Sequence, residues 1–167
     1  MSLKIYDLTV NYLKNPCGID TLPRFSYKVA SDIEGDAQKK RRICVYSSKA
    51  ALEAKNADMW DSGYVEDSNT VLIHYEGAKL SPVTRYYFSV EMESVNGETA
   101  YCADGTFVTG KLEEAWAGKW IIIARPDRYF KGAYYFRHEF EAAKEVSSAY
   151  LTICGLGYFE SYINESI

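Results

Sequence analysis

Along the first two-thirds of the chain, apolar and polar positions alternate in short runs and do not recur with helical spacing. The runs LTVNYL, RFSYKVAS, RRICVYSS, NTVLIHYEG, RYYFSVEME and GTFVTG are rich in β-branched and aromatic residues and separated by turn-forming Gly, Pro, Asn and Ser. Read with a period of two, RFSYKV turns Phe25, Tyr27 and Val29 to one face, and RRICV turns Ile43 and Val45 inward. Helical periodicity surfaces in KAALEAKNADMW, where Ala51, Leu52 and Ala54 make a turn or two, too short to build a layer. The pattern predicts an all-β fold, an antiparallel β-sandwich of the immunoglobulin kind.

The stretch LSPVTRYYFSV, residues 80–90, sharpens that expectation. In a strand, Thr84, Tyr86, Phe88 and Val90 share one face, and Arg85, Tyr87, Ser89 and Glu91 share the other. Tyr86 then points inward, and a buried phenol needs a partner. Backbone groups around Leu80, where Pro82 forces a turn, are the nearest candidates, and the arrangement is that of a tyrosine corner.

The character of the chain changes near Gly110, where the charged segment KLEEAWAGKW leads into WIIIA. A boundary at about residue 111 divides the chain into domains 1–110 and 111–167. The second part continues with AYYFRHEFE, SAYLTIC and GYFESYIN, which read as strands but are too few for an independent core. It is expected to be the first strands of an incomplete second, jelly-roll-like β-sandwich, because the turn-like Asn164-Glu165-Ser166 should lead into a returning strand. Unpaired edges there would favour self-association.

Composition narrows the function classes. A net charge of −4 and a pI near 5.3 give no reason to expect nucleic acid or an anionic membrane as a partner. The basic run Lys39-Lys40-Arg41-Arg42 is short and reads as a solvated loop or strand edge. No apolar stretch reaches the roughly 20 residues of a membrane span, and the N-terminus lacks the apolar core of a signal peptide, so a cytoplasmic location is expected, with secretion of the parent left open. Cys17, Cys44, Cys102 and Cys154 contain no CxxC pair; reduced thiols are the default, although their number would allow two disulfides. His74 and His138 lack Cys or His at ligand spacing, and neither metal nor cofactor is expected. The excess of aromatics, fifteen Tyr, seven Phe and three Trp, points to β structure first and to ligands second.

In order along the chain, NPCGID (15–20), PRFSYKV (23–29), WDSG (60–63), YEGAKLSPVTRYYFSV (75–90), GTFVTG (105–110), FRHEF (136–140) and GLGYFESYIN (155–164) resemble the N-terminal region of bacterial α-L-rhamnosidases. The resemblance covers nearly the whole chain, and its specificity lies in the combination, since the tyrosine-corner motif alone resembles any fibronectin type III domain. It implies a fibronectin type III-like domain followed by the start of a second β-sandwich. In that family both precede an (α/α)6-barrel that removes terminal α-L-rhamnose with inversion, using paired acids. The implied partners are a downstream catalytic domain of the same polypeptide and rhamnose-containing glycans. No residue here matches the catalytic acids. One departure is that Asn164 is followed by Glu165 where the family commonly has Gly.

Each chemically suggestive group has a plainer reading. In WDSG the acid and serine lack a nearby histidine base; D-S-G is turn chemistry, and Trp60 is expected to cap the core. Glu113-Glu114 and Glu91/Glu93 are carboxylate pairs of the sort that solvated linkers and outer strand faces carry. No catalytic residue is therefore assigned. The strongest functional candidate is the loop ARPDRYFKGAYYF, with Arg125, Arg128, Tyr129, Phe130, Tyr134 and Tyr135. Such a mixture can stack on a sugar or anchor a domain interface, and docking is the favoured alternative.

Overall fold

The computed structural model describes residues 3–123 and 132–164. Its strands are β1 (Leu3–Val10), β2 (Cys17–Ile19), β3 (Arg24–Ser31), β4 (Gln38–Tyr46), β5 (Trp60–Asp61), β6 (Val65–Glu66), β7 (Ile73–His74), β8 (Arg85–Ser94) and β9 (Thr99–Thr109), with one helix, α1 (Lys49–Glu53). One sheet has the order β1-β3-β7; the other runs β2-β9-β8-β4-β5, with β6 also pairing β4. All pairings are antiparallel except β2 with β9, where Cys17 lies opposite Val108 and Ile19 opposite Thr109. The chain divides into two compact units, Met1–Ala117 and Gly118–Ile167.

The core of the first unit follows from strand alternation. On β8, Tyr86, Phe88, Val90 and Met92 are buried while Tyr87, Glu91 and Glu93 are half-buried on the opposite face. Phe25 on β3 meets Phe88 at 4.7 Å and Phe107 on β9 at 6.1 Å between ring centroids. All three rings are fully buried, worth roughly 1.5–3 kcal/mol each for their removal from water. Phe25 and Tyr27 are buried and Val29 packs partly on the same core, and Ile43 and Val45 lie inward on β4. Gly105 is confined by the Phe88 ring, which occupies the place a β-carbon would take.

Several segments differ from the sequence expectation for identifiable reasons. LTVNYL does not continue as a strand, because Asn11 and Tyr12 adopt positive φ and turn the chain so that Val10 pairs with Leu13. Lys39-Lys40-Arg41-Arg42 is neither a loop nor a sheet edge: it lies within β4, between β8 on one side and β5 and β6 on the other. Its charges are tolerated there because Lys40 meets Glu93 at 2.7 Å, Arg41 meets Asp67 at 3.0 Å and Arg42 meets Asp61 at 2.6 Å.

The first unit also holds the chain beyond residue 111. The Gly110 N–H donates to Ile19 O (2.7 Å), the Val83 N–H to Gly110 O (2.9 Å) and the Leu112 N–H to Asp20 Oδ1 (2.9 Å), while Leu112 packs on the core.

In the second unit, WIIIA, AYYFRHEFE, SAYLTIC and GYFESYIN form no strand among the described residues. A strand needs a neighbouring ladder for its N–H and C=O groups, and among the described residues of these segments pairing does not go beyond an isolated bridge at Ile163. Large apolar side chains such as Trp120, Phe140, Leu156 and Tyr158 consequently stand exposed. Alternation still shows locally: the Tyr158 and Tyr162 hydroxyls donate to the two oxygens of Glu160.

Candidate functional site

At the start of β8 the corner closes as a set of hydrogen bonds. Tyr86 is 2% exposed, and its hydroxyl oxygen accepts the Ser81 N–H at 2.8 Å. Pro82 and Val83 make the turn; the Thr84 hydroxyl donates to Pro82 O (2.8 Å), and the Thr109 hydroxyl donates to Ser81 O (2.7 Å). The proline bends the chain, the threonine locks the bend, and the tyrosine ties it to the core.

The WDSG segment is likewise engaged structurally. Asp61 takes two bonds from Arg42, Nε at 2.8 Å and Nη2 at 2.6 Å, and a third from the Gly63 N–H at 2.9 Å. The Arg42 hydrogen bond, against a smaller opposing effect of burial, lowers the Asp61 carboxyl to about 2. Ser62 Oγ accepts the Ile43 N–H (2.8 Å) and donates to Gly63 O (2.8 Å), so the hydroxyl serves the edge of β4. Trp60 stacks on Phe25 at 6.0 Å and meets Tyr75 edge-on at 5.5 Å. The other carboxylate pairs also face cations: Glu91 with Arg42, Glu93 with Lys39 and Lys40, Glu113 with Lys79, and Glu114 with Lys111.

A buried polar network that sequence reading missed lies beside this segment. The Tyr27 hydroxyl donates to Gln38 Oε1 (2.6 Å), and Gln38 Nε2 donates to Asp67 O (2.7 Å) and Asn69 O (3.3 Å). Arg41 adds Nε to Asn69 O (3.3 Å) and Nη2 to Asp67 Oδ2 (3.0 Å). Burial drives the Tyr27 phenol up to about 12. The available signal was phase: Arg41 lies two and four residues before Ile43 and Val45, on the face those residues turn inward.

The network anchors residues 67–69 beside an open groove between β5 and β7, edge strands of the two sheets. The groove has a volume of about 550 Å³, and Arg41, Trp60, Asn69, Ile73, His74 and Glu76 are among the residues lining it.

Of the loop residues singled out from sequence, Arg125, Arg128, Tyr129 and Phe130 lie outside the described residues. Tyr134 and Tyr135 are exposed in the second unit. The four cysteines are free thiols, with Cys44 buried and Cys17 and Cys154 exposed. Among the described residues no group of His, Cys, Asp and Glu could hold a metal ion, and no helix is long and apolar enough to cross a membrane.

Comparison with known proteins bears on the whole arrangement. An α-L-rhamnosidase of Formosa agariphila is 33% identical across 98% of this chain, which spans 20% of that relative. The structure of Streptomyces avermitilis α-L-rhamnosidase, complexed with L-rhamnose, matches 65% of this chain and 11% of its own, with 35% identity and a TM-score of 0.61. α-L-Rhamnosidase from Dictyoglumus thermophilum matches 66% of this chain and 12% of its own, with 30% identity and a TM-score of 0.63. The family model for the Rha78A-like, N-terminal immunoglobulin domain matches residues 5–113, the span that holds the sandwich, its corner and the WDSG edge, and the chain belongs to that family.

Proposed function

We propose that this chain is the non-catalytic N-terminal part of an α-L-rhamnosidase-like glycoside hydrolase, and that its sandwich serves to position the catalytic domain. The observation that carries this reading is the family match over 5–113 together with relatives of which the chain spans only 20% or less. The engagement of the suggestive acids supports it. Inverting hydrolysis needs one carboxyl to protonate the leaving group and another to activate water, whereas Asp61, Glu91 and Glu93 are committed to cations of β4.

In this reading the parent enzyme removes terminal α-L-rhamnose with inversion, its catalytic acids lie outside residues 1–167, and it works in the cytoplasm. The exposed apolar side chains of the second unit are then covered by the polypeptide that completes a second sandwich, or by a second copy of the chain. The test is an α-L-rhamnosidase-like polypeptide that carries this chain at its N-terminus, compared with a form lacking residues 1–117. The shortened form should keep aryl α-L-rhamnoside hydrolysis in whatever fraction folds, with a lowered thermal midpoint. Complete loss of turnover in a form that stays folded would mean that the sandwich supplies a reacting group.

A further inference from the structure

The groove between β5 and β7 has a use that the positioning role leaves open. Trp60 lines it, and stacking on Phe25 and edge contact with Tyr75 hold that ring in a preset plane. Arg41 lines it too: the side chain is 9% exposed, spends Nε and Nη2 on residues 67–69, and leaves Nη1 without a hydrogen-bond partner among the described residues. A guanidinium nitrogen in that position can only donate. The exposed Glu76 and His74 supply further donors and acceptors, and Asn69, whose Oδ1 accepts the Val71 N–H at 3.0 Å, adds its Nδ2 as a donor. Asp61 and Ser62 also line the groove but are already bonded to Arg42 and to the β4 backbone.

The charges narrow the class of occupant. With Asp61 matched by Arg42 and Arg41 matched by Asp67, the remaining formal charge is that of Glu76, which disfavours an anion. A strand-like peptide fits poorly as well, because β5 and β7 are two residues long and offer little edge to extend. A neutral ring with one apolar face and several hydroxyls suits an aromatic plane flanked by separate donors and acceptors, and an open groove of about 550 Å³ has room for one. We propose that the groove formed by Trp60, Arg41, Asn69, His74 and Glu76 is a binding site for a neutral monosaccharide unit. Whether it binds is independent of whether the chain is catalytic.

The test is a ¹⁵N-NMR titration of the full chain with methyl α-L-rhamnopyranoside and methyl β-D-galactopyranoside, alongside D-glucuronate and the capped tetrapeptide Val-Thr-Val-Thr as probes of the rival classes. The expected result is a saturable shift of the Trp60 indole N–H and the Asn69 side-chain amide with at least one neutral glycoside. Glu76→Ala should weaken that binding about tenfold, as for one charged hydrogen bond lost, and His74→Ala should weaken it too. Both residues are exposed, and unchanged β8 amide positions would verify the fold. Tyr101→Phe, outside the groove, should leave binding intact. No saturable shift with either glycoside, equal affinity in Glu76→Ala, or a response confined to glucuronate or the peptide would each overturn the proposal.

Discussion

Removing one oxygen from Tyr86 isolates the contribution of the corner. In Tyr86→Phe the ring keeps its place, 2% exposed and stacked on Phe107 at 5.4 Å, so little packing is lost. What disappears is the acceptor for the Ser81 N–H at 2.8 Å. Ser81 is itself exposed, so water can reach the freed donor and limit the penalty. Its carbonyl also remains held by Thr109 at 2.7 Å, which keeps the turn from dissolving. The loss should therefore lie near the ordinary worth of one hydrogen bond, about 1 kcal/mol. Tyr87→Phe, on the half-buried opposite face, should stay within about 0.5 kcal/mol of the parent. Urea unfolding of the sandwich, followed by aromatic near-UV circular dichroism, reads both. With a slope of about 1–3 kcal/mol per molar urea, the Tyr86→Phe midpoint should fall by roughly 0.5 M with the slope unchanged. Equal midpoints for the two variants, or an unshifted Tyr86→Phe, would refute the assignment of the corner bond.

Gly105→Ala would drive a methyl group into the Phe88 ring and should cost about 1–3 kcal/mol, readable as a lowered thermal midpoint. Gln38→Leu removes the acceptor for Tyr27 and the donor to Asp67 O and should destabilise by roughly 1–3 kcal/mol, with faster hydrogen exchange at the Tyr27 N–H, which donates to Thr70 O. Asp61 has a folded pKa of about 2 against an unfolded value of 3.8, so its pairing with Arg42 stabilises the fold above the unfolded value and fades as pH falls toward 2. Both partners are about a third exposed, so screening keeps the effect below about 1 kcal/mol; Asp61→Asn should differ from the parent at pH 5 and converge with it near pH 2 in urea midpoint.

The sandwich was legible where one face of a strand is buried, because alternation then registers in the residues themselves. Phe25 and Tyr27, Ile43 and Val45, and Tyr86 through Val90 all follow that rule. Where charge and burial coincide it misleads: the run from Lys39 to Arg42 reads as solvent-facing, and Lys39 is exposed, yet Arg41 is buried, and sequence spacing does not reveal that Asp61, Asp67 and Glu93 come opposite the run across β5, a loop and β8. The groove was illegible for the same reason, since Trp60 and His74 meet there only because separate sheets place their edge strands side by side. Residues after Gly118 show the opposite failure. Their alternation is clear in the sequence, but alternation without a partner ladder makes no strand among the described residues.

A chain that carries a folded sandwich without hydrolytic machinery should show no turnover of its own against 4-nitrophenyl α-L-rhamnopyranoside. Repurified chain should release nitrophenol no faster than buffer from pH 4 to 8, although circular dichroism shows β structure in the same sample. Release above the blank that persists through repurification and is abolished by Asp61→Asn or Ser62→Ala would contradict it, placing a reacting group in the WDSG segment.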